Sequence, residues 1–169
     1  MSDAVIEEVD GRRIRIGDTW LTDFASCNYL GFDLDPQIMD AADRAIRRWG
    51  THPSWSRMLG SPRLYPDIEE RLTELLGCED TLVLPTITHI HMSVLPALAG
   101  DGWIFVDGRA HRTMFDGCRV AAGQGATVHR FPADDLSALE GLLRRAPLRA
   151  TKVICSDGVN SMTGNPCDL

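Results

Sequence analysis

The fold is decided by one short stretch in the second half of the chain, Trp103-Ile104-Phe105-Val106-Asp107-Gly108-Arg109-Ala110-His111. Four consecutive apolar residues are typical of a strand that is buried on both faces, and polar residues follow where that strand ends. Apolar residues at helical spacing flank the stretch, from His89 to Ala99 and from His111 to Ala122. A buried strand between two helices is typical of a parallel sheet, so the stretch predicts an α/β fold.

The alternation of strands and helices continues on both sides of this stretch. Apolar runs predict further strands at 81–84, 126–131 and 151–156. Asp134 is expected to cap one more helix. The buried face of that helix is predicted to consist of Leu136, Leu139, Leu142 and Leu143. Because apolar strands alternate with striped helices, residues 80–156 are predicted to form three or four neighbouring strands of a mostly parallel sheet with helices on both faces. Right-handed crossovers then limit its topology.

The first half of the chain shows a different pattern. Arg13-Ile14-Arg15-Ile16 alternates polar and apolar residues as a half-buried strand does. One helix is predicted from Pro36 to Gly50, and a second is predicted to end at Gly77. Residues 51–64, between these helices, have no clear period and are predicted to form a loop. The apolar stripe of the first helix consists of Ile38, Ala42, Ala45, Ile46 and Trp49.

Composition and charge exclude several classes of protein. The chain has 169 residues, a net charge of −7 and a pI of about 5.1, so it lacks the basic balance of a general nucleic-acid binder. All apolar runs are shorter than the ~20 residues that span a bilayer, and the acidic start is unlike a signal peptide, so no membrane partner is expected. Five scattered cysteines without a Cys-x-x-Cys pair indicate reduced thiols in the cytoplasm.

Two kinds of reactive site can be weighed from residue types alone. His89 and His91 are two residues apart, so on a helix they lie about 200° apart and cannot bind one metal ion together; no metal site is expected. The basic residues are sixteen arginines and a single lysine, Lys152, at the start of a predicted strand. Any reaction that needs a catalytic lysine therefore has one candidate in this sequence.

Polar residues follow three of the predicted strands, at the ends where parallel sheets bind ligands. Thr86 and Thr88 open a helix whose backbone N–H groups are able to bind an anion such as phosphate, or else one of them only caps that helix. His111 opens the next helix and is equally well explained as a capping or surface histidine. Asp157 and Ser161 lie in a turn where such residues also occur for backbone reasons. Taken singly, none of these residues decides a function.

Taken together, five blocks of sequence resemble a known family. The blocks are Asn28-Tyr29-Leu30-Gly31-Phe32, Ser56-Arg57-Met58-Leu59-Gly60-Ser61, Tyr65-Pro66-Asp67-Ile68-Glu69, Asp107 with His111 four residues later, and Asp157-Gly158-Val159-Asn160-Ser161-Met162-Thr163-Gly164. Their order and spacing are similar to those of the α-oxoamine synthases, which are pyridoxal-phosphate enzymes of the class II aminotransferase group. The resemblance covers about residues 20–169 and implies the N-terminal part of the large domain of a pyridoxal-phosphate transferase.

The resemblance implies pyridoxal 5′-phosphate as the cofactor and assigns catalytic roles at two positions. His111 matches the histidine whose imidazole stacks on the pyridine ring. Ser161 matches a serine that contacts the cofactor or the carboxylate of the amino acid, and Asn28 lies in the block that contacts the substrate carboxylate. We expect His111, Thr88 and Ser161 to meet in one cleft, since each follows a strand of the same parallel sheet.

The phosphate of the cofactor is implied to bind at Thr86, Ile87 and Thr88 through their backbone amides, and Asp157 is implied to bind the cofactor as well. The chain departs from the family here. Ile87 stands where the family has glycine, and a branched residue restricts the backbone if that turn needs a positive φ. Arg112-Thr113 stands where the family has Ala-Ser. These departures indicate a divergent branch.

The implied activity is an acyl transfer in which an amino acid condenses with an acyl thioester, bound to coenzyme A or to an acyl carrier, in a cytoplasmic homodimer. Such chemistry uses a lysine that forms a Schiff base with the cofactor. In the family this lysine lies downstream of the last block, and Lys152 lies at the wrong end of its strand. The alternatives are an aminotransferase or a lyase on the same fold, or a non-catalytic partner subunit without the lysine.

The domain organisation implied by the resemblance has two parts. Residues 1–60 are expected to form an N-terminal arm with strands and the first helix, and residues 61–169 a partial large domain that is truncated at its C-terminus. The 169-residue chain by itself is therefore expected neither to catalyse the reaction nor to hold the cofactor covalently.

Overall fold

A computed structural model describes residues 3–52 and 55–167 of the chain. The chain packs as two units, Met1–Asp80 and Thr81–Leu169, which are described separately below. The division into domains at residue 60 stays a prediction, since a unit of packing is not by itself a domain.

The first unit begins with an antiparallel sheet of three short strands, β1 (Glu8–Asp10), β2 (Arg13–Ile16) and β3 (Thr19–Thr22), in the order β1-β2-β3. Two helices follow, α1 (Pro36–Trp49) and α2 (Leu64–Leu76). The strand at Arg13–Ile16 and both helices confirm the sequence prediction. Asp35 caps α1, because its side chain accepts hydrogen bonds from the backbone N–H groups of Gln37 and Ile38.

The apolar faces of these two helices are only partly covered among the described residues, where Ile46 of α1 and Ile68 of α2 line the same open cleft. No residue of α1 or α2 is buried, and Ile46, in the middle of the predicted stripe, is 51% exposed. The apolar period of a sequence predicts that a helix forms and which face is apolar, but it does not supply the surface against which that face packs.

The second unit alternates helices and strands along the chain. In order these are α3 (Ile87–Ala99), β4 (Trp103–Asp107), α4 (Arg112–Gly123), β5 (Thr127–Phe131), α5 (Leu136–Arg145) and β6 (Lys152–Cys155). The three strands pair in parallel in the order β5-β4-β6, with Ile104 of β4 opposite Val128 and Val153. The α/β fold with a parallel sheet is thereby confirmed, and β4 is its central strand.

Helices cover both faces of this sheet, as predicted. Successive side chains of β4 point to opposite faces. Ile104 and Val106, which are essentially inaccessible, pack with the buried residues of α3 and α4, whereas Phe105 packs with Phe131 and with Leu139 of α5. The carboxyl end of β4 is thus held between two packed layers and forms a rigid base for the loops that follow it.

Three predictions about this unit are wrong. Residues 81–84 are not a strand, because an apolar run becomes a strand only where a neighbouring strand forms a ladder with it. The helix α5 is capped by Asp135, whose carboxylate accepts the backbone N–H of Ala138, and not by Asp134, which has a φ of +62°. Leu136, the first residue of α5, is 53% exposed rather than part of the buried face.

Candidate functional site

The carboxyl ends of β4 and β6 are joined by hydrogen bonds to Asp107. This residue is the last of β4, and its Oδ2 accepts a hydrogen bond of 2.9 Å from the hydroxyl of Ser156, directly after β6. Its Oδ1 accepts one of 2.7 Å from the backbone N–H of Arg109 and so holds the turn that leads into α4. The two loops that carry His111, Asp157 and Ser161 therefore leave the sheet side by side.

His111 lies in the first of these loops and caps α4. Its Nδ1 accepts a hydrogen bond of 3.3 Å from the backbone N–H of Thr113, and its own backbone N–H donates one of 2.8 Å to Oδ2 of Asp157. The structure confirms the capping interpretation and also brings His111 and Asp157 together. Because capping uses only Nδ1, the exposed ring keeps its faces and Nε2 for a ligand.

Two residues of this site were not found by sequence reasoning, His91 and Thr113. The hydroxyl of Thr113 lies 2.8 Å from Nδ1 of His111 and 2.9 Å from Nδ1 of His91 on α3. Burial lowers the pKa of His91, and nearby His111 lowers it further, whereas Asp157 acts in the opposite direction. One signal was available: His91 precedes the buried Leu95 by four residues, which places both on the inner face of α3.

A close approach of α3 to α4 holds His91 in this position. A Cβ atom on Gly117 would lie 2.4 Å from the backbone carbonyl oxygen of His91, a distance that no side chain tolerates. Glycine at this point of α4 therefore lets the two helices come close enough for the hydrogen bond between His91 and Thr113.

The N-terminus of α3 presents two free backbone donors. Thr86 caps the helix, because its Oγ1 accepts a hydrogen bond of 3.1 Å from the backbone N–H of His89. The amides of Ile87 and Thr88 precede the first intrahelical bonds and have no acceptor among the described residues. Ile87 has helical backbone with a negative φ, so its replacement of glycine introduces no strain here. The structure confirms the cap at Thr86, which leaves two backbone donors; anion binding by these donors stays a prediction.

The loop after β6 is held by Asn160. Its Oδ1 accepts the backbone N–H groups of Met162 and Thr163, and its Nδ2 donates to the carbonyl of Arg109. Ser161 is exposed at the tip of this turn, and its hydroxyl makes no hydrogen bond to a described residue. The meeting of Ser161 and Thr88 with His111 in one cleft stays a prediction.

A cleft of about 190 Å³ lies at the same strand ends, on the side of α5. Asp107, Ser156 and Asp157 contribute to its wall, together with Arg109 and Asp134, which form an ion pair of 3.0 Å. Asp157 therefore lines this cleft and also holds the backbone of His111.

Two other residues considered from the sequence make hydrogen bonds to residues outside this cluster. Asn28 is a half-buried residue of the first unit, and its backbone carbonyl accepts a hydrogen bond of 2.7 Å from Arg12. Lys152 opens β6 at the amino end of the strand, as predicted, and its ammonium group donates to the carbonyls of Pro147, Leu148 and Ala150.

Within residues 3–52 and 55–167, no group of three or more His, Cys, Asp or Glu side chains is arranged to bind a metal ion. In the same residues, the helices are too short and too polar to cross a membrane.

Comparison with known proteins places this arrangement in context. The family model described as aminotransferase class I and II matches residues 20–169. The chain is 36% identical over 166 residues to an 8-amino-7-oxononanoate synthase of Maricaulis maris, covering 96% of this chain and 40% of that protein. It is 30% identical over 163 residues to a serine palmitoyltransferase of Sphingobacterium spiritivorum, covering 95% of this chain and 38% of that protein. Both relatives are α-oxoamine synthases.

A solved structure supports the same relationship. A serine palmitoyltransferase from S. paucimobilis, with PLP and myriocin bound, superposes with a TM-score of 0.92 at 26% identity, covering 98% of this chain and 42% of that one. The match lies in the N-terminal part of that enzyme. The chain thus spans about two-fifths of the length of the relatives that it matches.

Proposed function

Because the chain belongs to the aminotransferase class I and II family, we propose that it forms part of a pyridoxal-phosphate-dependent acyltransferase of the α-oxoamine synthase type. The substrates are an amino acid and an acyl thioester, carried by coenzyme A or by an acyl carrier. The observation that carries the proposal is the placement of His111. Hydrogen bonds to Thr113 and Asp157 fix this residue at the carboxyl ends of the sheet, with its ring exposed.

The residues present fit pyridoxal phosphate. The free amides of Ile87 and Thr88, at the positive end of the α3 dipole, would bind the phosphate. The exposed imidazole of His111 would stack on the pyridine ring. When bound, the cofactor supplies an electron sink for the negative charge that develops at the α-carbon of the amino acid.

The remaining site residues position the ring of His111 or the substrate. Asp157 and Thr113 keep the backbone and Nδ1 of His111 occupied, so its ring presents a fixed plane. Asp157 itself counts as a cofactor-binding residue in this proposal. Ser161 and Asn28 are assigned to the carboxylate of the amino acid, which fixes the orientation of the substrate before reaction. The free hydroxyl of Ser161 is consistent with that role.

The setting of the enzyme is also a proposal. We place the protein in the cytoplasm as a homodimer. All five cysteines lie among the described residues and none forms a disulfide bond. The buried thiols of Cys118 and Cys155 share a hydrogen bond that raises the pKa of Cys155 and lowers that of Cys118. Two adjacent unlinked thiols are typical of proteins in a reducing compartment.

The surroundings of Lys152 separate it from the proposed site. The one lysine of this sequence has its ammonium group bound to three backbone carbonyls at the amino end of β6, the end of the sheet opposite His111. Lys152 is therefore unsuited to form a Schiff base at the proposed site.

The experiment compares the full-length protein that carries this sequence with its H111A variant and with H89A as a matched control on an exposed histidine. Titration with pyridoxal phosphate, followed by absorbance, is expected to give a Kd about tenfold higher for H111A, from loss of ring stacking, and an unchanged Kd for H89A. Acyl-CoA with an amino acid is expected to release free thiol. Equal Kd values for H111A and wild type would contradict the site, and cofactor binding without thiol release would favour an aminotransferase or a lyase.

A further inference from the structure

The hydroxyl of Thr113 lies between two imidazole rings. Its Oγ1 is 2.8 Å from Nδ1 of His111 and 2.9 Å from Nδ1 of His91. A hydroxyl carries one hydrogen and two lone pairs, so it donates to at most one of these nitrogens, and any other bond to it is donated by the imidazole. The two histidines are therefore coupled, and the proton positions on one ring constrain those on the other.

The backbone of Thr113 fixes the direction of the hydrogen bonds that link His91, Thr113 and His111. Its N–H donates to Nδ1 of His111 at 3.3 Å, so that nitrogen is an acceptor. The opposite arrangement would place a proton on Nδ1 of His111 against the N–H of Thr113, so two donors would face each other. The hydroxyl of Thr113 consequently donates to His111 and accepts from His91.

From this order we infer that His91 and Thr113 are positioning residues that hold His111 as the tautomer protonated on Nε2. In this series of hydrogen bonds, Nδ1–H of His91 donates to the hydroxyl of Thr113, and that hydroxyl donates to Nδ1 of His111. His111 is left with Nε2–H as its free donor, on a ring that is held at Nδ1 and at its backbone N–H.

The surroundings support this arrangement independently of the hydrogen-bond order. Gly117 allows the backbone of His91 to approach α4, so a displacement of His91 away from Thr113 would require the two helices to separate. His91 is half-buried, and burial lowers its pKa, which keeps the ring neutral near pH 7. A neutral His91 with its proton on Nδ1 donates to Thr113 and adds no charge beside His111.

The order of hydrogen bonds stands on the geometry alone, whereas its consequence for the cofactor rests on the proposed function. A stacking histidine with a fixed ring plane and a defined donor binds an aromatic ligand without losing rotational freedom at that moment. Loss of the hydrogen bonds through Thr113 is therefore expected to weaken the binding of pyridoxal phosphate about threefold to tenfold, which is the effect of losing one hydrogen bond.

The test uses ¹⁵N-labelled histidine in the full-length protein without cofactor, where NMR distinguishes protonated from unprotonated ring nitrogens. We expect a proton on Nε2 of His111 and on Nδ1 of His91. The T113V variant removes both side-chain bonds and should give a mixture of tautomers at His111, T113S should restore the wild-type pattern, and H89F should leave it unchanged. Circular dichroism checks that each variant is folded.

The outcomes separate this inference from the proposed function. A wild-type His111 protonated on Nδ1, or a T113V variant with an unchanged His111 tautomer, would overturn the inference. The expected tautomers together with absent binding of pyridoxal phosphate would support the inference and contradict the proposed function. The expected tautomers with a Kd that rises in T113V and recovers in T113S would support both.

Discussion

The two units of the chain contrast in how far their helices are packed. In the first unit, α1 and α2 have caps and apolar faces but no buried residue. In the second unit, α3 and α4 bury Leu95, Ala99, Met114 and Cys118 against the parallel sheet. Local sequence is sufficient to form a helix in both units, but among the described residues only the helices of the second unit bury side chains against an opposing surface. The candidate site lies where that surface is rigid, at the carboxyl ends of its strands.

The largest expected effect is on stability, when an isoleucine is truncated in each of the two units. Ile104 is fully buried and Ile46 is 51% exposed, so truncation to alanine should separate them. I104A is expected to reduce the free energy of unfolding by about 2–5 kcal/mol, as buried isoleucine does, and I46A by less than about 1 kcal/mol. Urea unfolding of the 169-residue chain measures both. Similar losses for the two variants would contradict the contrast and show that the face of α1 is covered in solution.

A second comparison tests whether close helix packing builds the site. G117A places a methyl group against the carbonyl of His91 and is expected to cost about 1–3 kcal/mol, despite the higher helix propensity of alanine. Gly141 in α5 has open space at the Cβ position, so G141A is the matched control and is expected to gain about 0.5–1 kcal/mol. Thermal unfolding measures both, and a stabilised G117A would contradict the close approach of α3 to α4.

The smallest expected effect is the loss of stability when a polar contact of the first unit is removed. The guanidinium of Arg57 pairs with Glu69 at 2.9 Å and lies 4.7 Å from the ring centre of Tyr65, so it joins two blocks that resemble the family pattern. R57A is expected to cost about 1 kcal/mol, and R63A, whose ion pairs with Asp67 and Glu70 are exposed, is expected to cost less. Urea unfolding at low and high salt measures this difference. Equal and negligible losses would show that Arg57 does not hold the loop to α2.

The same contrast explains how much could be predicted from the sequence. In the second unit the parallel sheet was predictable, because apolar strands and striped helices alternate at regular spacing. The strand at 81–84 was predicted wrongly, since a strand depends on a neighbour that an apolar run does not reveal. In the first unit the helices were predictable, but the exposure of Ile46 was not, because burial depends on the surface opposite.

The candidate site was predictable only in part. His111 and Asp157 were found because each follows a strand of one parallel sheet, and the structure joins them by a hydrogen bond. His91 and Thr113 were missed because their roles depend on how α3 packs against α4. His91 was considered only as a partner of His89 for a metal ion, and Thr113 only as a departure from the family pattern.

The most direct test of the central claim is a crystal structure of the full-length protein with pyridoxal phosphate. The account predicts the pyridine ring on the imidazole of His111, with ring centres about 4.5–7 Å apart, and the phosphate on the amides of Ile87 and Thr88. A cofactor bound elsewhere, with His111 free and those amides unoccupied, would contradict the assignment of the site to the carboxyl ends of the parallel strands.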